Sequence, residues 1–254
     1  MPLYSTEAVV IRTRDYRESD RIVTFFTRDF GKISGIARSA RRSTKRFSGS
    51  LDLFCHVMVQ FFEKRSQNLV RVEGCDLLAH FHHIRQDVRK MAHMSYLVEL
   101  ILLMAPEREK QAELFDLLLQ VQGVFNTGPY SSQKALFFEM RFLALLGYAP
   151  HLNNCLSCGA GIESGRSFGF HPERGGLLCS RCAIDRNELV GVSLGTLKLL
   201  EAHRLLGGEK AGRLVFSPLA LNELQRLLRA LVIHKLGRKP RSMGFMEQFM
   251  GTDR

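Results

Sequence analysis

The sequence predicts an α+β fold: an N-terminal five-stranded β-barrel, an all-α domain after it, and a cysteine-rich segment inserted among the helices. Three observations carry this. Residues 1–79 hold five short β-rich runs. The hydrophobic period then changes from two to about 3.6 residues. Four cysteines in two close pairs interrupt the helical pattern.

The β-rich runs are EAVVIRTR and DRIVTFFT, joined by the polar DYRES; KISGIARSA after the turn RDFGK; CHVMVQFFEK, which alternates from His56; and NLVRVEGCDLL. β-branched and aromatic residues bounded by turn residues mark each as a strand. Five strands in so short a stretch suit a small barrel of the OB type, which buries one face of each strand and leaves few open edges. Between the third and fourth runs, residues 38–50 form a loop rich in Arg, Lys, Ser and Gly. Phe81, Ile84, Val88, Met91 and Met94 then begin a helical stripe, QAELFDLLLQVQGVF gives a second helix, and SSQKALFFEMRFLALLGY a third that stops at Gly147 with Pro150 beyond. Helices resume with SLGTLKLLEAHRLL, opened by Ser193, and with SPLALNELQRLLRALVIHKL, where Ser217 suits the N-cap and Pro218 the first helical position. The expected domains are residues 1–79 (barrel), 80–150 with 188–254 (helical), and 151–187 (insertion). There is no internal repeat or low-complexity tract.

Cys155 and Cys158 form one C-x2-C knuckle, and Cys179 and Cys182 the other. Each knuckle turns two thiolates toward one point, and two knuckles supply the four soft ligands of one tetrahedral Zn²⁺. A closed four-thiolate site has no open position for substrate, so the expected zinc is structural and the insertion is a zinc ribbon. A competing pattern is HPE at His171–Glu173 followed by CSRC, which approaches the H-x-E…P-C-x-x-C signature of zinc deaminases. Leu178 stands where the proline belongs, and that reading leaves Cys155 and Cys158 unused, so His171 is placed in a ribbon loop. Cys55 and Cys75 read as small core residues.

Net charge is +11, from 36 Lys+Arg against 25 Asp+Glu, which favours a polyanionic partner. The charge is clustered. RSARRSTKR supplies Arg38, Arg41, Arg42, Lys45 and Arg46, followed directly by Phe47 as a ring for base stacking; HKLGRKPRS supplies Lys235, Arg238, Lys239 and Arg241. These are the expected nucleic-acid-binding residues, and DNA-binding residues under the family resemblance given below. No phosphate-binding loop, H-E-x-x-H or G-x-S-x-G motif is found, so no catalytic residues are assigned and no enzyme is expected. The start of the chain lacks a signal peptide's apolar segment, and the longest apolar run, Tyr96–Pro106, carries Glu99 and falls short of the roughly 18–20 residues that span a bilayer. A cytoplasmic protein with no membrane partner is expected.

Several longer words resemble the bacterial RecO family, the recombination mediators of the RecFOR repair pathway. They are Tyr16, Glu18 and Asp20 in Y-x-E-x-D, then GKISGIARSARRS, FSGSLDLF, LLGYAPHLNNCLSCG and VIHKLGRKPRS, together covering roughly residues 3–250. The resemblance implies an N-terminal OB domain, a helical domain and, in many members, an inserted zinc ribbon. It implies a non-enzymatic, nucleoid-associated protein that binds single- and double-stranded DNA and anneals complementary strands. With RecR, such a protein helps load RecA onto strands coated by single-stranded-DNA-binding protein, whose acidic, apolar C-terminal tail it binds. From charge and barrel alone, an RNA-binding OB/zinc-ribbon protein of translation or ribosome assembly stays open as the alternative.

Overall fold

The computed structural model describes residues 2–43, 45–63, 68–163, 165–206 and 214–250. Strands β1 (Leu3–Tyr16), β2 (Asp20–Thr27), β3 (Gly31–Ala37), β4 (His56–Phe62) and β5 (Val70–Ala79) close into a barrel in the order β1-β2-β3-β5-β4. Seven α-helices follow among the described residues: α1 (His82–Gln86), α2 (Val88–Met104), α3 (Ala112–Thr127), α4 (Ser132–Leu145), α5 (Leu194–Leu206), α6 (Pro218–Leu236) and α7 (Arg241–Met250). Between α4 and α5 lie β6 (Phe168–His171), β7 (Gly176–Cys179) and β8 (Val190–Val192), a three-stranded sheet in the order β7-β6-β8. Two compact units make up the chain, Met1–Tyr130 with Ser242–Arg254, and Ser131–Arg241. The first unit runs past the strand-to-helix change at Ala79 and takes in α1 to α3.

The barrel has the OB topology. Its neighbours pair antiparallel except β3 and β5, which meet in parallel through Gly35–Val70, Ile36–Arg71 and Ala37–Val72. A Cβ on Gly35 would lie 2.7 Å from the Cγ2 atoms of Val70 and Val72, so the absent side chain is what lets this seam close. Alternate residues fill the interior, among them Val10, Val23, Phe25, Ile33, Val57, Val59, Phe61 and Val72. One end is plugged by Ala40, Phe47 and Leu51, all from the chain between β3 and β4. Cys55 and Cys75 belong to the same core, where burial pushes the Cys55 thiol up and the Cys75 thiol up to about 12.

Two helical details depart from the sequence pattern. The stripe from Phe81 is two helices, because Asp87 turns extended and its carboxylate accepts the N–H groups of Arg89 and Lys90, ending α1 and capping α2. RSMGFMEQFM also forms a helix, α7, anchored where the backbone N–H of Ser242 donates to Glu99 at 2.7 Å and its hydroxyl bonds the same carboxylate. The expected cap at Ser217 forms, to the N–H of Ala220, and Ser131 caps α4 through the N–H of Lys134. In the second unit, Glu223 of α6 holds the start of α5: it accepts the Ser193 N–H at 3.0 Å, the Ser193 hydroxyl at 2.9 Å and the Thr196 hydroxyl at 2.6 Å.

Two substitutions test this framework. At the β2–β3 turn Gly31 has φ 61°, and an added Cβ would fall 1.9 Å from the carbonyl oxygen of Glu109. Gly31→Ala is expected to cost about 2 kcal/mol or more, through the left-handed backbone and the displaced carbonyl, and to lower Tm by roughly 5 °C in a far-UV melt. Burial raises the Glu223 pKa, but the hydrogen bonds from Thr196 and Ser193 outweigh it and hold the carboxyl below its ordinary value of 4.5. Its stabilising effect is therefore complete above that value and is lost as pH falls through the lowered folded-state pKa. Glu223→Gln is expected to cost about 1–2 kcal/mol at neutral pH and much less near pH 3, as measured by urea melts at both.

Candidate nucleic-acid face and metal centre

A β-bulge at Ile11 sets the outer face of the barrel. Past it the register places Arg12 opposite Thr24 and Arg14 opposite Ile22; Thr24 then faces Ser34, Ile22 faces Ile36, and Ile36 faces Arg71. Directly opposed residues share a face. Two rows therefore cross the sheet, Arg12–Thr24–Ser34 and Arg14–Ile22–Ile36–Arg71. Arg12, Arg14 and Arg71 are exposed, Ser34 and Ile36 are half-buried, and the Thr24 and Ser34 hydroxyls lie 2.9 Å apart. Tyr16, two residues beyond Arg14 on the same face, is exposed, with the Arg17 guanidinium 5.2 Å from its ring centre.

The other half of this outer surface is covered from within the same unit. Phe26 is fully buried near Phe115 of α3, and Lys32, 4% exposed, donates to the Leu102 carbonyl at 2.8 Å and pairs with Glu107 at 3.1 Å. At the β3–β5 seam the open half ends in a cavity of about 380 Å³ lined by Ile36, Arg38, Asn68, Leu69, Val70 and Arg71. Arg12, Arg14 and Arg71 were not singled out by the sequence pattern. The alternation in RTRDY marks the first two, whereas Arg71 joins them only through the long-range pairing of β5.

The basic loop lies beside this face and is folded. Arg38, Arg41, Arg42, Lys45 and Arg46 are all exposed. Arg41 donates to the Glu18 carbonyl at 3.2 Å and lies 3.9 Å from Asp15; Arg46 donates to the Arg38 carbonyl at 3.1 Å and lies 3.9 Å from Glu73. Arg38, Arg42 and Lys45 make no ion pair among the described residues. Phe47 is not the exposed ring expected: it is 4% exposed within the barrel core, with the Arg46 guanidinium 5.1 Å from its ring centre. A loop that has to close the barrel end must bury an apolar side chain, and Phe47 is the one it uses. Phe25, Phe26 and Phe61 are likewise core rings. In the second unit, Lys235 occupies the last turn of α6, Arg238 and Lys239 follow its Gly237 cap, and Arg241 opens α7; all four are exposed, next to Ile233, 36% exposed.

The four cysteines come together. Their sulfurs lie within 4.8 Å of one another, and Cys158 Sγ is 3.7 Å from Cys179 Sγ. A tetrahedron of sulfurs about 2.3 Å from a central ion has an edge of about 3.8 Å, so the donor set fits a four-coordinate metal. Backbone turns build it: Gly159 N–H donates to the Cys155 carbonyl at 2.9 Å, and Cys182 N–H to the Cys179 carbonyl at 2.9 Å. The knuckles are fixed to each other by the β6–β7 hairpin, since Cys179 ends β7 while Leu156 N–H donates to the Leu177 carbonyl at 2.8 Å. Burial raises the Cys155 and Cys179 thiols, but N–H donors lower both. Those of Cys179, Cys158 and Ser157 act on Cys155; those of Arg181 and Cys182, with neighbouring thiols, bring Cys179 to about 6. Hydrogen bonding to Cys158 and Cys179 pushes Cys182 up to about 12. The Cys182 thiol thus retains a proton that a divalent cation displaces. His171 stands apart, 3.3 Å from Glu188, and no second group of three or more potential ligands occurs among the described residues.

Fold and site thus define a class, the OB-barrel proteins that carry a thiolate metal ribbon within a helical unit. The family models described as "Recombination protein O N terminal" and "Recombination protein O C terminal" match residues 1–81 and 85–244. A DNA repair protein RecO from Syntrophus aciditrophicus is 35% identical over 247 residues, covering 96% of this chain and 95% of its own. One from Symbiobacterium thermophilum is 32% identical over 251 residues, covering 97% and 98%, and one from Myxococcus xanthus is 33% identical over 253 residues, covering both in full. The chain belongs to the RecO family of DNA repair proteins. No described helix is long and apolar enough to cross a membrane.

Loss of one cysteine tests whether the cluster holds a metal. Cys155→Ser is expected to lower bound metal, measured by plasma mass spectrometry, and to lower Tm, because metal binding at such a site is local folding free energy.

Proposed function

We propose that this chain is a non-enzymatic DNA-binding mediator whose open barrel face takes single-stranded DNA. The observation that carries the proposal is the row Arg14–Ile22–Ile36–Arg71, exposed cations flanking buried Ile22 and half-buried Ile36 on the half of the sheet that the described helices leave uncovered. Phosphates suit Arg12, Arg14, Arg71 and the loop residues Arg38, Arg41, Arg42, Lys45 and Arg46. Base faces suit Ile36, Leu69 and Tyr16, the last replacing Phe47 as the stacking ring. The metal of the four cysteines is a structural Zn²⁺, the ion favoured by four thiolates in a closed tetrahedral site.

Family membership supports the remainder of the reading: annealing of complementary strands and, with RecR, the loading of RecA onto strands coated by single-stranded-DNA-binding protein. Lys235, Arg238, Lys239 and Arg241 beside Ile233 offer the mixed cationic and apolar surface that the acidic, apolar tail of that protein requires, and suit DNA phosphates as well.

The direct test is annealing of two complementary oligonucleotides, each precoated with single-stranded-DNA-binding protein. Acceleration without a nucleotide cofactor is expected, and tighter binding of an RNA of equal length than of DNA would count against the proposal. Replacing Arg12 and Arg14 together by Ala is expected to reduce single-strand affinity about tenfold at low salt. The slope of log K against log salt should become shallower by about 1.4, roughly 0.7 per lost phosphate contact. Unchanged affinity and slope would remove the face from the footprint.

A further inference from the structure

The four-cysteine centre has an asymmetry that its sulfur geometry alone does not explain. Four thiolates around a divalent cation leave two negative charges on the cluster. Backbone N–H groups offset part of that: Cys155 Sγ accepts the Cys179 N–H at 3.4 Å, with Ser157 and Cys158 also donating to it, and Cys179 accepts from Arg181 and Cys182. Cys158 is the exposed member of the set. Its donor is a side chain instead: Nη1 of Arg166 lies 3.4 Å from Cys158 Sγ, and the same nitrogen lies 3.8 Å from Cys179 Sγ. One guanidinium thus bridges a sulfur from each knuckle, from a position two residues before β6.

We infer that Arg166 is the counter-cation of the metal centre, a positioning residue that holds the exposed Cys158 thiolate toward the metal and offsets one of the cluster's two excess negative charges. The inference rests on the metal reading above. Arginine suits the task because its planar fork keeps donors in fixed directions and stays charged throughout the working pH range, whereas a lysine ammonium is a mobile, strongly hydrated point charge. Partners that hydrogen-bond to ligands from outside the coordination sphere alter metal affinity roughly 10–100-fold in other sites. Arg166 is partly exposed, so the lower end of that range is the expectation here.

The test is a Co²⁺ titration of the full chain, following the sulfur-to-cobalt charge-transfer band and then competing the ion away with a chelator. N–H···S bonds stabilise the sulfur lone pairs and raise the energy of that band. Arg166→Ala is therefore expected to shift the band to lower energy and to weaken Co²⁺ binding about tenfold, with Arg166→Lys intermediate in both. A band and affinity equal to those of the unaltered chain would overturn the inference. So would weaker binding with an unmoved band, since that pattern belongs to a residue supporting only the local fold. If the unaltered chain shows no charge-transfer band, the metal reading itself fails, which a loss confined to the Arg166 variants cannot mimic.

Discussion

The closure of the barrel between β3 and β5 is the constraint from which most of the first unit follows. These strands run parallel over three residue pairs, and Gly35 lets the valines of β5 approach where any side chain would hold them off. Closure removes two open strand edges, which would otherwise pair with other chains. It also brings Arg71 into line with Ile36, Ile22 and Arg14, which lie on three other strands. Without that seam the arginines of β1 would face solvent with no opposite bank of charge. The same constraint accounts for Phe47: a barrel closed at its side must also be sealed at its end, and the chain between β3 and β5's neighbour β4 supplies the plug with Phe47 and Leu51.

The ribbon solves a different problem. Its strands have three or four residues each, and its buried apolar side chains are few, chiefly Ile162, Phe168, Phe170, Leu177 and Leu178. So little apolar surface does not offset the entropy of ordering the segment, and under the proposed metal reading an ion held by the four cysteines supplies the difference as folding free energy. Charge follows from that solution. A sulfur cluster that replaces a core carries negative charge where a core carries none, so donors must be aimed at it, most from the two knuckle turns and one from Arg166.

Most of the architecture was legible in the sequence because it depends on local pattern. Strand alternation, the cap at Ser217 and the paired cysteines each act over a few residues, and each formed where the pattern indicated. What escaped lies in interruptions of a local pattern, in strands too short to show one and in partners distant in the chain. The Asp87 break looks like a continuous apolar stripe until the aspartate's capping bonds are seen, and α7 relies on Glu99, 143 residues from Ser242. The strands β6 to β8 are too short to carry a periodic signal. Phe47 misled because a ring at the end of a basic run reads as surface, while the barrel end needs it inside. Arg71 was invisible as a site residue because only the parallel seam aligns it with Ile36 and the β1 arginines.

The arrangement of the face also bears on which form of nucleic acid the proposed activity favours. Arginines can meet phosphates of either a duplex or a single strand, and that attraction weakens with salt in both cases. Ile36 and the Leu69 side of the cavity gain nothing from a duplex, whose bases are stacked inside and whose backbone is polar. A single strand presents base faces and phosphates together, so one ligand can use both the apolar centre and the cations. Under the proposed function, the arginines therefore set an affinity common to both forms, and the apolar middle sets the preference for single strands. That preference should persist at salt concentrations where the common electrostatic part has faded, because burial of apolar surface is not screened by ions.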